Sequence, residues 1–466
     1  MRIVGLLVLA TAVVSGATLD DATRQLSRNI FKELIEINTT DSVGNTTTAA
    51  NAMAKRLKDA GFPAADIQVL GPTDRKGNLV ARLRGTGAKK PVLILGHLDV
   101  VEAKREDWTT NPFSLVEKDG YFYGRGTQDM KVNDAILVTT FIRFQREGYR
   151  PDRDLILALT ADEEGGQWNG VEWLLKNHRD LIDAEFVLNA DAGGVTTIKG
   201  KPVNVDVEAS EKQYADFELT VLNPGGHSSL PTADNAIYRL SDALSRLEHS
   251  PFPVEFNAVT RTYFERRAPL ESAQTRDDMK AILRTPPDAG AVARLSKEPR
   301  YNSMLRTTCV ATRLSAGHAN NALPQEAKAI VNCRILPGHS AAETQQALVR
   351  VLADPKVALH YVGAIGGAAA PDSKGFPTVL PSAGVLRPLE QVAAEMWPGA
   401  PVIPVMETGA SDSVYTIAAG LPSYGFNGVG LDQDDIRAHG KDERVRVTAY
   451  DDGVDFWYRF LQAMTK

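Results

Sequence analysis

Three times in its first half the chain runs through a short apolar segment and ends it on residues that apolar packing does not explain. Pro91 to Leu95 leads into Gly96-His97-Leu98-Asp99, Asp154 to Thr160 into Asp162-Glu163-Glu164-Gly165-Gly166, and Phe186 to Asn189 into Asp191-Ala192-Gly193-Gly194. Runs this short and apolar read as central strands buried on both faces. Helical periodicity lies between them, at Asp134 to Gly148 and Gly170 to Asn177. Strands alternating with helices imply an α/β layer fold, a mixed and largely parallel sheet sandwiched by helices. Open sheets of this kind keep their sites beyond the carboxyl ends of the strands. The acids and the histidine fall there.

The rest of the chain divides around this pattern. Leu26, Ile30, Leu34 and Ile37, then Met53 and Leu57, give two surface helices, stopped by Gly61-Phe62-Pro63 and followed by strands at Ile67 to Leu70 and Leu79 to Leu83. Near Glu208 the pattern changes. Strands at Ala215 to Leu222, Thr307 to Leu314, Glu326 to Leu336 and Ala358 to Val362, with helices at Asn235 to Glu248 and Ala341 to Leu352, run in the β-α-β-β-α-β order of a ferredoxin-like unit. The expected division is a first part over 18–212, an inserted α+β unit over 213–365 carrying an insertion at 251–302, and a second part over 366–466 that opens on a Gly- and Ala-rich linker.

Met1 to Ala17 has the build of a secretory signal: Arg2, an apolar run from Ile3 to Val14, and a small-residue ending at Ser15-Gly16-Ala17. A buried first element is the plainer alternative. No later stretch approaches about twenty apolar residues, so no membrane association is expected after cleavage, and the expected location is periplasmic or secreted. Export permits a disulfide. Cys309 and Cys333 flank a turn and would face each other if its arms form a hairpin; two separate buried thiols is the competing reading. The net charge of −6 is too mild for an acidic tail and argues against nucleic-acid binding. Eight histidines among 58 acids can build an imidazole–carboxylate metal site, whereas two cysteines cannot build a thiolate one.

Singly, the motifs are weak. His97-Leu98-Asp99 fits a metal ligand whose second ring nitrogen is held by Asp99, and it equally fits a satisfied core histidine. Asp129, in Gly124-Arg125-Gly126-Thr127-Gln128-Asp129-Met130-Lys131, fits a helix N-cap, while a phosphate loop is excluded by the missing third glycine and Lys-Ser/Thr. Adjacent Glu163 and Glu164 can divide labour, one binding metal and the other moving protons.

Taken together, His97-x-Asp99, Asp129, Glu163-Glu164, Asp191 and the late segment Ala438-His439-Gly440-Lys441-Asp442-Glu443 resemble the di-zinc exopeptidase and deacylase family of glutamate carboxypeptidase, aminoacylase, acetylornithine deacetylase and carboxypeptidase S. The resemblance spans essentially the whole chain after the signal. It implies a zinc exopeptidase-like fold in which the inserted ferredoxin-like unit is a lid and dimerisation domain. It further implies that Asp129 bridges two Zn²⁺ ions, with His97 and Asp191 completing one site and Glu164 and His439 the other; Co²⁺ or Mn²⁺ could substitute. Glu163 would be the general base toward the water between them, with Asp99 supporting His97.

The same resemblance makes His227, in Pro224-Gly225-Gly226-His227-Ser228-Ser229, the oxyanion-stabilising lid histidine, which in dimeric relatives serves the partner's active site, so a homodimer through the lid is compatible. Asn321, Arg334, Gly409 and Ser411 resemble residues that hold a substrate carboxylate, Arg through its planar fork. The plainer readings are a turn cap for Asn321 and a surface strand residue for Arg334. His178, His249, His318, His339 and His360 carry no motif and read as structural or surface residues. Val132 after Lys131, where relatives often have glycine, and Ser411, where many have threonine, are departures.

The implied activity is zinc-dependent hydrolysis of an amide bond next to a free carboxylate, by a carboxypeptidase or dipeptidase acting on short peptides. N-acyl-amino-acid deacylation is the alternative. An aminopeptidase would need an acidic pocket for the substrate amine, and a silent binding scaffold would have no need to keep Glu163 and all five ligands.

Overall fold

Strands buried on both faces and strands buried on one face sort into different sheets. The computed structural model describes residues 19–363, 378 and 380–466; the signal segment expected over 1–17 and most of the expected linker lie outside them. Val92–His97 and Leu155–Thr160 are buried at every residue, as central strands are. The main sheet runs in the order Ile67–Leu70, Asn78–Leu83, Leu155–Thr160, Val92–His97, Phe186–Asn189, Ser423–Gly425, Lys201–Glu211, Gly194–Ile198, Gly430–Asp432, with Val402–Glu407 pairing Lys201–Glu211 off that path. Its centre is parallel and its flanks include antiparallel pairs.

Successive side chains leave a strand on opposite faces, and both faces of this sheet are covered. Ile94 and Leu157 join the core that holds Phe31 and Phe141. Their neighbours Leu93, Leu95 and Ile156 join Val171, Leu174 and Ile182 on the other side. Each fully buried side chain of this size contributes about 1.5–3 kcal/mol. The register sets His97 beside Thr160 and Leu95 beside Asn189, so the segments that follow these three strands emerge side by side. Gly96 is required at this point: a Cβ there would come within 2.6 Å of an Asp134 oxygen and 2.8 Å of Met130.

The second sheet is antiparallel throughout, in the order Thr308–Ala316, Glu326–Ile335, Gln213–Leu222, Val357–Gly363. Its strand Gln213–Leu222 alternates buried and half-buried residues, which fits one covered face. Helices Ala236–Glu248 and Ala341–Leu352 cover that face and share a core with Phe217, Leu219 and Val331. Only Lys212 separates strand Lys201–Glu211 of the main sheet from Gln213–Leu222. It is fully buried, and its Nζ donates to the Arg306 carbonyl at 2.7 Å.

The segment 251–302 follows the first helix of this second unit, yet its helices pack elsewhere. Val259, Phe264, Met279 and Leu295 belong to the core of the main sheet. Arg266 Nη1 donates to the Val402 carbonyl at 2.7 Å and Arg267 Nη1 to Asn204 Oδ1 at 2.9 Å. Chain order did not reveal which sheet the segment covers. Among the described residues no helix is long and apolar enough to cross a membrane.

Cys309 and Cys333 are directly opposed in the second sheet and form a disulfide, so the reading of two separate thiols fails. Closing a loop across a sequence separation of 24 stabilises the fold by about 3 kcal/mol in the chain-entropy account. Replacing both cysteines by serine should lower the unfolding free energy by roughly that amount in urea titrations. An unchanged midpoint, or thiols that react in the native unreduced protein, would contradict the bond.

Candidate metal centre

Asp129 lies just before helix Lys131–Glu147 but does not cap it: the N-cap position is Met130, with no side-chain cap. The turn is pinned from below by Lys131, fully buried, whose Nζ donates to the Leu34 and Ile37 carbonyls at 2.9 and 2.7 Å. Val132 packs in the core behind it, and its N–H donates to the Gly126 carbonyl at 3.0 Å. The Asp129 carboxylate is thereby left free to face the strand ends.

Its two oxygens face different partners. Oδ1 lies 3.1 Å from His97 Nε2, and Oδ2 lies 3.0 Å from His439 Nε2. His97 Nε2 is also 3.5 Å from Asp191 Oδ1, and His439 Nε2 is 2.8 Å from Glu164 Oε2. One carboxylate thus stands between two imidazole–carboxylate pairs. Ligand-type atoms of His97, Asp129 and Glu164 lie within 4.8 Å of one another, as do those of His97, Glu163 and Asp191. Glu163 Oε2 is 4.0 Å from His97 Nε2.

Asp99 meets His97 through its backbone carbonyl, not through the carboxylate expected to hold the ring. His97 Nδ1 is 3.1 Å from the Asp99 backbone carbonyl and 3.7 Å from its carboxylate. That carboxylate accepts instead the N–H groups of Glu163 and Glu164, at 3.2 and 3.0 Å. It thereby ties the acidic loop to the His97 strand. Burial pushes Asp99 up to about 7, despite His97 nearby.

The electrostatics fit a cation pair. Burial opposes charge on Asp129, yet hydrogen bonds from His439 and His97 hold its carboxyl below the usual range. The same contacts work on the imidazoles: hydrogen bonds to Asp129 and Glu164 raise His439 to about 10, and Asp191 and Asp129 raise His97 against the effect of burial. Burial also raises Glu163 and Glu164, and Glu164 Oε1 is buried without a protein donor. Two imidazoles do not balance five acids, and this oxygen and nitrogen donor set suits divalent Zn²⁺, Co²⁺ or Mn²⁺.

The remaining expected residues gather less tightly. Gly409 N–H and Thr408 N–H donate to Glu407 Oε1 at 3.1 and 2.7 Å. Ser411 is buried; Asn189 Nδ2 donates to its Oγ at 3.1 Å, and the Ser411 N–H and Oγ both donate to Glu211. Beside this loop is a cleft of about 250 Å³ lined by Glu163, Asn169, Ser411, Asp412 and Tyr415 among others. Arg334 lies over the Tyr214 ring at 4.6 Å, half-buried, and among the described residues no carboxylate is within ion-pair distance of it. His227 and Asn321 come together on the second unit, where Gly226–His227 pairs with Ala322–Leu323. His227 is exposed, with Nδ1 2.8 Å from Ser229 Oγ, and among the described residues no hydrogen bond or ion pair joins it to the metal centre.

Glu211 was missed in the sequence, as was Asp412, a fully buried acid that accepts from Thr160 Oγ1 at 3.2 Å and Asn169 Nδ2 at 2.6 Å. For Glu211 a signal existed: Asp206, Glu208 and Glu211 are all acids in a strand buried over its second half. Packing alone does not place carboxylates there.

A sequence profile of peptidase family M20/M25/M40 matches residues 93–463. The chain is 30% identical over 380 residues to the N-fatty-acyl-amino acid synthase/hydrolase PM20D1 of Xenopus tropicalis, covering 80% of this chain and 72% of that one. It is 30% identical over 387 residues to a probable carboxypeptidase S-like 2 of Dictyostelium discoideum, covering 81% and 72%. The fold matches the M20 family metallo-carboxypeptidase Sso-CP2 of Sulfolobus solfataricus with a TM-score of 0.63 at 16% identity, over 94% of this chain and 99% of that one. The chain therefore belongs to the M20 metallopeptidase family and is a hydrolase.

Ligand binding to the folded state at about 100 times the dissociation constant stabilises it by about 2.7 kcal/mol per site. Protein stripped by a chelator should therefore melt at a lower temperature and regain its midpoint on addition of Zn²⁺, and Asp129→Ala should abolish most of that gain. A stripped wild-type protein whose melting is indifferent to Zn²⁺ would contradict a metal centre here.

Proposed function

We propose that the protein is a di-zinc carboxypeptidase or dipeptidase that hydrolyses an amide bond next to a free carboxylate in short peptides. The observation that carries this reading is the placement of Asp129, one oxygen toward His97 and the other toward His439. His97, Asp129 and Asp191 would hold one ion, and Asp129, Glu164 and His439 the other. Bound there, the ions would supply Lewis acidity toward the scissile carbonyl and lower the pKa of a water.

The chain's own residues supply the rest. Glu163, clustered with His97 and Asp191, takes the proton from the attacking water and passes it to the leaving nitrogen. Asp99 fixes the backbone of Glu163 and so the reach of its carboxylate. Arg334, a guanidinium without a carboxylate partner among the described residues, takes the substrate carboxylate with Asn321 and with the Gly409 to Ser411 loop. The four-stranded unit acts as the lid that brings His227 and Arg334 to the substrate, His227 stabilising the developing oxyanion; its exposure fits action on closure or across a homodimer. Hydrolysis of N-acyl amino acids is a second reading, favoured by the relative from Xenopus tropicalis, since both substrate classes present an amide beside a carboxylate. A leader removed on export, as the sequence of 1–17 suggests, would place the enzyme in the periplasm or outside the cell.

Glu163→Gln should lower turnover by about 10²–10⁴-fold, the range of general-base catalysis, on dipeptides and N-acyl amino acids, while the protein still carries about two metal ions per chain. Unchanged turnover would remove Glu163 from this role. Arg334→Ala should raise KM for substrates with a free carboxylate and leave their amides unaffected. An equal loss on both would show that Arg334 does not read the carboxylate.

A further inference from the structure

His439 is the most exposed member of the metal set, its side chain 57% accessible, and its backbone φ is 63°. A residue with a Cβ keeps that left-handed conformation only where its surroundings hold it. The holder is Gln128. Its Oε1 accepts the N–H groups of Arg437 and Ala438 at 2.7 and 3.0 Å, and its Nε2 donates to the carbonyls of Asp435 and Arg444 at 3.1 and 2.8 Å. A side-chain amide offers two donor hydrogens and two acceptor lone pairs, and all four are spent on the turn that carries His439.

The turn returns the grip. Glu443, fully buried, accepts the N–H groups of Gly126, Gln128 and Asp129 at 3.1, 2.5 and 3.1 Å. Arg125 closes it, with Nη1 donating to Glu443 at 2.6 Å and Nη2 to the Gly440 carbonyl at 2.9 Å. The loop bearing Asp129 and the turn bearing His439 are thus stitched in both directions, although Gln128 and Arg437 are 309 residues apart in sequence.

We infer that Gln128 is a positioning residue for the metal centre: by fixing the turn over 435–444 it sets His439 opposite Asp129 and Glu164 and governs the affinity of that site more than of the other. This rests on the reading that two cations flank Asp129. His97 and Asp191 follow central strands and do not depend on the turn; only the shared Asp129 touches it, through Glu443, so their site loses less affinity than the His439 site when Gln128 is lost. Groups that orient metal ligands are worth 10–100-fold in metal affinity.

The test is a calorimetric Zn²⁺ titration of metal-free wild-type, Gln128→Met and Gln128→Asn protein, with the melting temperature of each metal-free form measured alongside. Met keeps the length and removes the hydrogen bonds; Asn keeps the chemistry and cannot reach. Wild-type should take two ions. Gln128→Met should bind one ion 10–100-fold more weakly and the other with a clearly smaller loss, and Gln128→Asn should do the same to a smaller degree. If Gln128→Met does not fold, Gln128→Asn carries the test alone. Wild-type affinities at both sites in the folded variants would overturn the inference, whatever their melting temperatures, as would equal weakening of both sites. A wild-type protein that takes fewer than two ions would overturn the two-cation reading itself.

Discussion

Asp129 turns one oxygen to His97 and the other to His439, and the architecture is arranged around that pair of contacts. A largely covered carboxylate among other acids, as Asp129 is, is unfavourable unless cationic partners surround it. Here the partners come from far apart in the chain. The parallel centre of the sheet levels the ends of three strands, so that His97, the loop of Glu163 and Glu164, and Asp191 arrive at one edge. The turn carrying His439 completes the ring from the carboxy-terminal part of the chain. Asp99 then joins two of these segments directly, through the backbone N–H groups that its carboxylate accepts.

Much of this was legible in the sequence because it is local. The apolar runs at Pro91 to Leu95 and Asp154 to Thr160 become strands Val92–His97 and Leu155–Thr160. The expected strand–helix series from Ala215 to Val362 appears in its expected order. What could not be read is non-local. Nothing in the run Asn78–Leu83 says that Leu155–Thr160 will lie between it and Val92–His97, because sheet order depends on packing partners distant in sequence. The same limit hid the packing of segment 251–302 on the main sheet. It also hid Gln128 and Glu443, whose partners lie about 300 residues away and whose residue types are ordinary in loops.

Family membership constrains the chemistry more than the substrate. The chain is about equally similar to a relative named for N-fatty-acyl-amino acids and to one named as carboxypeptidase S-like. Both names are compatible with an amide bond beside a carboxylate. Under the proposed function, the choice between acyl and peptide substrates would fall to the cleft beside Glu163 and Ser411, the loop held by Glu211, and the four-stranded unit with Arg334 and His227. A single residue, Lys212, joins that unit to the main sheet.

Whether Asp129 stands between two metal ions is read out by anomalous diffraction at the zinc absorption edge on crystals of the zinc-loaded protein. Two anomalous peaks are expected, one bounded by His97, Asp129 and Asp191 and the other by Asp129, Glu164 and His439. A single peak, or two peaks of which either lies away from Asp129, would contradict that arrangement.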